Sequence, residues 1–139
     1  MKTWLVDTGP IVAFLDARDP AHEEVALRWS GLVGTCATTG AVLTEAMHLL
    51  AADPAGPAAL AELVALGNFR IFDLCQPPDL PAAAQLMAKY SDTPMDFADA
   101  TLVLLADALG VRDILTLDRR GFRSYRMRKR RAFHLLLDA

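Results

Sequence analysis

Short apolar runs alternate with helix-length segments along the whole chain, and this alternation limits the fold more than any other feature. Five runs have enough apolar or β-branched residues to predict strands: residues 3–6, 35–39, 70–74, 112–117 and 133–137. Strands that alternate with helices predict a parallel sheet with helices on both faces. Ligands of such sheets bind beyond the carboxyl ends of the strands. The expected fold class is therefore α/β, with the functional site at that edge.

Six helices are predicted between these strands. Pro fits the first turn of a helix and Gly readily ends one, so these residues mark the boundaries. The predicted helices cover residues 9–15, 20–32, 41–52, 57–66, 81–89 and 96–109. The 139 residues are 53% hydrophobic and contain no linker or repeat, so we expect one domain over residues 1–139.

Five carboxylates lie within or beside apolar segments, where an unpaired charge is costly. Asp7 and Asp118 end the first and fourth predicted strands. Glu45 lies in the helix after the second strand, and Asp96 and Asp99 open the longest apolar helix. Asp7, Glu45, Asp99 and Asp118 are expected to converge on one edge of the sheet. Several carboxylates together most simply indicate a hard divalent metal.

Each acid also has a purely structural interpretation. Asp7, Asp96 and Asp118 are each placed to cap the helix or turn that follows. The spacing of Asp96 and Asp99 is that of a capping box, and Glu45 fits a surface position at a helix edge. We favour Asp99 as the metal-site acid, because a small residue follows it, and expect Asp96 to support it.

Polar residues near these acids are candidates for supporting roles. The hydroxyls of Thr8, Thr44 and Thr116 are nearest in sequence and are suited to orienting a carboxylate or a water. His48 follows Glu45 by about one helical turn, and we expect it to be a partly buried helix residue rather than a ligand.

The net charge of −3 conceals a strong asymmetry. Residues 119–139 have a net charge of +7, whereas residues 1–118 have a net charge of −10. Much of the positive charge lies at Arg126, Arg128, Lys129, Arg130 and Arg131. A cationic segment on an acidic body favours contact with a polyanion or with an acidic partner segment, and a solvated surface is the alternative.

Several function classes lack their signatures in this chain. There is no glycine-rich phosphate loop and no Gly-x-Ser-x-Gly motif, and a phosphotransferase with Asp7 as nucleophile would want a second Asp where Gly9 stands. Cys36 and Cys75 match no metal or redox spacing, so we expect free thiols in a cytoplasmic protein. No signal-peptide pattern and no apolar stretch of about 18 residues is present, so no membrane span is expected.

Four motifs carry a resemblance to a known family. They are Leu5-Val6-Asp7-Thr8-Gly9-Pro10, Thr44-Glu45, Pro94-Met95-Asp96-Phe97-Ala98-Asp99-Ala100 and Leu115-Thr116-Leu117-Asp118-Arg119-Arg120-Gly121-Phe122. In this order, and over nearly the whole chain, they resemble the PIN-domain family. The closest likeness is to the VapC-type toxins of bacterial toxin–antitoxin pairs. The basic stretch of residues 126–131 is longer than the general pattern needs.

The resemblance implies a three-layer α/β/α sandwich and an endoribonuclease that depends on Mg²⁺ or Mn²⁺. It places the acidic site at Asp7, Glu45, Asp99 and Asp118, with Asp96 as an extra acid found in some members. It also implies a small antitoxin whose tail enters the acidic groove, and a homodimer that assembles with it into a heterotetramer or larger complex. The alternative is a catalytically inactive PIN-like module that binds RNA or protein.

Overall fold

A five-stranded parallel sheet forms the centre of the computed structural model, which describes residues 2–138. The strands are β1 (Thr3–Val6), β2 (Thr35–Thr39), β3 (Phe69–Phe72), β4 (Asp113–Leu115) and β5 (His134–Leu135), in the sheet order β3-β2-β1-β4-β5. Every strand pair is parallel, and β1 lies between β2 and β4. The predicted α/β class with a parallel sheet of about five strands is confirmed.

Helices connect the strands. They are α1 (Thr8–Leu15), α2 (His22–Ser30), α3 (Gly40–Leu50), α4 (Gly56–Leu66), α5 (Asp79–Lys89), α6 (Phe97–Leu109) and α7 (Arg119–Ser124), with 3-10 turns at Arg128–Arg130 and Leu136–Asp138. The six predicted helices are present with ends close to those expected. Helix α7 was not predicted, and β4 and β5 are shorter than their apolar runs, so those boundaries were wrong.

The central strand and helix α6 contribute many of the buried residues of the core. Leu5 and Val6 of β1 are fully buried, as are Leu102 and Leu105 of α6. Helix α6 packs on β2, α3 and α5, so it has little surface left for solvent. This explains why its sequence is apolar over most of its circumference rather than on one stripe. Its left-handed C-terminal residue, Gly110 (φ +65°), ends the helix.

Two further predictions concern the cysteines and membrane-spanning helices. Cys36 is buried and Cys75 is exposed, and both are free thiols as expected. Within residues 2–138, none of the helices has the length and apolar character that crossing a bilayer demands.

Ion pairs attach the end of the chain to the body. Arg119 of α7 donates to Asp138 (2.9 Å) and to Glu24 of α2 (3.1 Å), and Arg123 also donates to Asp138 (2.7 Å). Arg28 of α2 donates to the Leu136 carbonyl at 2.7 Å. The first arginines of the cationic segment therefore have partners within the protein.

Candidate active site

Asp7 directly follows the central strand β1 and is only 7% exposed. Its Oδ1 accepts a 2.8 Å hydrogen bond from the Thr8 amide, which makes Asp7 the N-cap of α1. Its Oδ2 accepts a 2.8 Å hydrogen bond from the Thr116 hydroxyl. Burial raises the pKa of Asp7 to about 6, and the charges of Asp96 and Asp118 act in the same direction. Asp7 therefore caps α1, as its position in the sequence allows. Burial and the neighbouring negative charges also disfavour its ionised form.

Asp96 and Asp99 form the capping box that their spacing predicts. The Asp99 amide donates to Asp96 Oδ1 (2.8 Å), and the Asp96 amide donates to Asp99 Oδ2 (3.1 Å). Asp96 is exposed, whereas Asp99 is half-buried. Burial raises the pKa of Asp99 to about 8, and the charges of Asp7 and Asp96 add to this effect. Asp99 therefore belongs both to the helix cap and to the group of acids around Asp7.

Glu45 points from α3 toward the same acids. It is half-buried, which fits both a site residue and the surface position at a helix edge that its sequence also allows. Burial raises its pKa, the charge of Asp96 raises it further, and a contact with the Thr8 hydroxyl lowers it. Helix α3 begins at the carboxyl end of β2, where the Thr39 hydroxyl accepts from the Val42 amide as N-cap. That cap orients the helix carrying Glu45.

Asp118 is the N-cap of α7. Its Oδ1 accepts a 3.0 Å hydrogen bond from the Gly121 amide, and its own amide donates to the Thr116 hydroxyl at 3.0 Å. A Cβ on residue 121 would lie 2.3 Å from Asp118 Oδ2, so only glycine permits this close approach. Asp118 lies beyond β4 rather than at its last residue, because the strand ends at Leu115.

The five carboxylates thus gather beyond the carboxyl ends of β1, β2 and β4. Each of them interacts electrostatically with at least one of the others: Asp7, Glu45, Asp96, Asp99 and Asp118. Within residues 2–138, none of the five forms an ion pair with Lys, Arg or His. Their mutual repulsion is therefore not offset by a protein cation.

The chemistry of these donors suits a hard divalent cation. Carboxylate oxygens are the ligands that Mg²⁺ and Mn²⁺ prefer, and a cation would oppose the burial and the like charges that raise the pKa values of Asp7 and Asp99. Within residues 2–138, no group of three or more Asp, Glu, His or Cys side chains lies in an arrangement that could already hold a metal ion. Mg²⁺ needs only one or two carboxylates with waters and phosphate oxygens, so an open arrangement suits it.

An open groove of about 690 Å³ adjoins the acids. Glu45 and Asp96 form part of its wall, Phe97 and Ala98 contribute apolar surface, and His48 also lines it. His48 is exposed, so the expectation of partial burial was wrong. Residues Leu43 and Ala46, not His48, face inward from α3. Of the five acids, Glu45 and Asp96 line this groove, so a ligand in it would meet these two carboxylates first.

The basic segment forms a short hairpin beyond α7. Arg126 pairs with Ala132 in an antiparallel bridge, and the Met127 amide donates to the Arg131 carbonyl at 2.8 Å. Lys129 and Arg130 both have positive φ angles, 59° and 60°, which L residues adopt at a cost. The Arg128 amide is held by Asp107 Oδ1 at 2.8 Å.

The cationic side chains of this hairpin surround a cavity of about 610 Å³. Lys89, at the end of α5, lines the cavity together with Arg126, Arg128, Lys129 and Arg130. In the described part of the chain, Lys89, Arg126, Arg128, Lys129, Arg130 and Arg131 form no ion pair with an acid. The cavity is therefore positive and available to an anion. Lys89 was missed in the sequence, because it ends a different helix far from the basic stretch.

Tyr125, which lies in the sequence between Asp118 and the basic hairpin, was also not predicted to be part of the site. Tyr125 is fully buried, and the charges of Asp99, Asp118, Asp96 and Asp7, together with its burial, raise its pKa above the ordinary value. Its hydroxyl donates to the Pro94 carbonyl at 2.8 Å. No periodicity or motif in the sequence indicates this contact.

Comparisons with known proteins agree with this geometry. The PIN domain family model matches residues 4–126. Ribonuclease VapC26 of Mycobacterium tuberculosis (strain ATCC 25618 / H37Rv) is 33% identical over 124 residues, which cover 88% of this chain and 91% of that protein.

Two solved structures share the fold. Mycobacterium tuberculosis VapC20, described as a sarcin–ricin loop cleaving toxin, superposes with a TM-score of 0.72 at 20% identity, over 84% of this chain and 90% of that one. VapBC2 from Rickettsia felis, bound to a DNA fragment from its promoter, gives a TM-score of 0.60 at 14% identity, over 96% of this chain and 98% of that one. The sequence match and the three-layer α/β/α fold together show that the chain belongs to the PIN-domain family and is of the VapC type.

Proposed function

We propose that this protein is an endoribonuclease that hydrolyses RNA phosphodiester bonds with Mg²⁺ or Mn²⁺. The observation that carries the proposal is a group of five carboxylates that has no cationic partner within residues 2–138 and is centred on the buried Asp7 after the central strand. The name of its relative, Ribonuclease VapC26, supports the activity. In this proposal the domain is one PIN-like unit spanning residues 1–139.

A phosphodiester bond resists water because its own negative charge repels a nucleophile, and bare carboxylates would add to that repulsion. A divalent cation held by these acids would supply the opposite field, a water of lowered pKa and stabilisation of the negative charge that develops on the phosphoryl and leaving-group oxygens. Asp7 and Asp99 are the principal ligands in this proposal, directly or through water. Glu45 and Asp118 complete the site or orient the attacking water, and Asp96 supports Asp99 through the capping box.

The hydroxyls hold these carboxylates in place. Thr116 donates to Asp7 Oδ2 and accepts from the Asp118 amide, so one side chain orients two of the acids. The Thr8 amide donates to Asp7 Oδ1, and the Thr8 hydroxyl contacts the Glu45 carboxylate. Because these donors are fixed before a ligand arrives, little reorganisation accompanies binding.

In this proposal the cationic cavity binds the RNA backbone. Arg126, Arg128, Lys129, Arg130 and Arg131 would contact phosphates beyond the cleaved one, with Lys89 completing the cavity. Contacts of this kind position the strand and make binding salt-dependent, but they select little sequence.

The protein acts, in the same proposal, as the cytoplasmic toxin of a toxin–antitoxin pair. A small antitoxin would occupy the acidic groove, and the toxin would form a homodimer that joins the antitoxin in a heterotetramer or larger complex. The fold likeness to VapBC2 from Rickettsia felis supports an assembly of this type.

Cleavage of total cellular RNA by the purified protein tests this function. Reactions contain Mg²⁺, Mn²⁺ or EDTA, and an Asp7→Asn variant is the control. We expect discrete fragments that require a metal and are lost in the variant, and their ends identify the substrate. Metal-independent binding of RNA without fragments, by folded and antitoxin-free protein, would instead establish the inactive binding module.

A further inference from the structure

The Tyr125 hydroxyl connects the two chain segments that carry most of the acids. One segment is the loop before α6, where Pro94 precedes Asp96 by two residues. The other is α7, which begins after Asp118 and ends at Tyr125. The Tyr125 hydroxyl donates to the Pro94 carbonyl at 2.8 Å, across 31 residues of sequence. This bond fixes the start of α6 relative to α7.

Burial makes this connection rigid. Tyr125 is 0% exposed, and its ring packs edge-on against Phe122 and Tyr90, each with ring centroids 5.0 Å apart. A Cβ added to Gly121 would lie 3.0 Å from the Tyr125 hydroxyl and 2.3 Å from Asp118 Oδ2. The hydroxyl and the Asp118 carboxylate therefore border the same narrow space beside the Gly121 backbone.

The direction of the hydrogen bond limits what this hydroxyl can do. A phenol has one proton to donate, and here the Pro94 carbonyl receives it. Tyr125 therefore does not donate to the neighbouring carboxylates and leaves their charges available to a cation. The hydrogen bond of Tyr125 affects the carboxylates only through their positions, because it keeps like charges close together that would otherwise move apart.

We propose that Tyr125 is a positioning residue, whose hydroxyl holds the Asp96–Asp99 end of α6 at a fixed distance from Asp118 and so prepares the acids for a divalent cation. The inference rests on the proposed function for the identity of the cation. It adds a residue outside the acidic motifs to the group that determines metal affinity.

Tyr125→Phe is the test variant, because it removes one oxygen and keeps the ring. Tyr90→Phe is the matched control: it also removes one oxygen from a tyrosine of the same aromatic cluster, and that hydroxyl accepts from the Arg126 amide at 3.0 Å rather than bonding to the loop before α6. Mn²⁺ binding is measured by the loss of the electron paramagnetic resonance signal of free Mn²⁺, and urea unfolding reports on the fold of both variants. Amide hydrogen exchange of residues 96–99 is measured in EDTA.

We expect Tyr125→Phe to weaken Mn²⁺ binding about tenfold, as loss of an outer-shell partner does, and to speed exchange at residues 96–99. Tyr90→Phe should change neither, although both variants should lower the urea midpoint similarly. Unchanged exchange and Mn²⁺ affinity in Tyr125→Phe would overturn the inference. Absence of Mn²⁺ binding by the wild-type protein would overturn the proposed function instead, and exchange in EDTA would still decide whether Tyr125 holds the two segments together.

Discussion

The Thr116 hydroxyl donates a 2.8 Å hydrogen bond to Oδ2 of Asp7 and thereby joins the carboxyl ends of the central strand β1 and its neighbour β4. The same oxygen accepts the Asp118 amide at 3.0 Å. Thr116 is fully buried, so water does not replace it in either contact. One hydroxyl therefore sets the positions of two acids that lie far apart in the sequence.

Thr116→Val should weaken divalent metal binding about tenfold and destabilise the fold by about 1–2 kcal/mol, because Asp7 loses a donor that opposes its raised pKa. Calorimetric titration with Mn²⁺ and urea unfolding measure the two effects. Thr38→Val is the control, since that buried hydroxyl donates to the Val6 carbonyl at 2.8 Å rather than to a carboxylate. Equal metal affinity of both variants would contradict the role of Thr116.

The stability of the metal-free protein should fall as pH rises from 5 to 8. Asp7 and Asp99 have pKa values of about 6 and about 8, above the ordinary value of 3.8, so the folded state binds more protons than the unfolded chain in this range. Stability therefore decreases as these groups ionise. Thermal unfolding in EDTA should show a falling Tm, and saturating Mg²⁺ should reverse the loss at pH 8. A Tm that rises with pH in EDTA would contradict the predicted repulsion.

Asp7→Asn should abolish cleavage and still leave a folded protein. Asn is as good an N-cap as Asp, and removing the buried charge should add about 1–2 kcal/mol of stability at pH 8 in EDTA. Activity should fall by roughly a hundredfold or more, the scale seen when one preorganised electrostatic group is lost. Urea unfolding and RNA cleavage are measured on the same preparation, and full activity of this variant with metal present would refute the assignment.

Gly121→Ala should destabilise the protein by about 1–3 kcal/mol, since the new methyl group would lie 2.3 Å from Asp118 Oδ2. Displacement of that carboxylate should also weaken metal binding. Gly31→Ala is the matched control, because its Cβ would meet no atom closer than the Arg28 carbonyl oxygen at 3.7 Å. Urea unfolding of the two variants should differ accordingly, and a neutral Gly121→Ala would show that Asp118 is not confined at this position.

Changing Arg128, Lys129, Arg130 and Arg131 to Ala should weaken RNA binding and flatten its salt dependence. Each lost phosphate contact with single-stranded RNA should reduce the slope of log K against log salt concentration by about 0.7. Fluorescence anisotropy in EDTA measures binding apart from cleavage. Ala at Arg70 and Arg112, exposed cations outside the hairpin, is the control, and an unaltered slope in the hairpin variant would exclude these residues from the RNA surface.

The acids could be recognised as candidates because an unpaired carboxylate in an apolar segment is energetically costly and therefore indicates a partner or a ligand. Asp7 follows a buried strand and Asp99 opens a buried helix, and parallel strands bring such positions to one edge. Helix α7 could not be predicted in this way, because its six residues are too few to show a helical period and include a glycine, which disfavours a helix. It forms because Asp118 caps it and because Phe122 and Tyr125 are buried against other elements.

The end of β4 and the hydrogen bond of Tyr125 both depend on contacts between residues that are distant in sequence. Strand β4 stops at Leu115 because the Thr116 side chain turns toward Asp7 and the Asp118 amide. The hydrogen bond from Tyr125 to Pro94 spans 31 residues, and its partner has no side-chain signature because it is a backbone carbonyl. Local propensity carries no information about either feature.

The most direct measurement is cleavage of a defined RNA by one enzyme preparation before chelation, after chelation with EDTA, and after Mn²⁺ is restored, beside an Asp99→Asn control. The account predicts cleavage that stops in EDTA, returns with Mn²⁺ and is absent from the control under every condition. Cleavage that continues in EDTA, or that Asp99→Asn retains in full, would contradict a metal site built on these carboxylates.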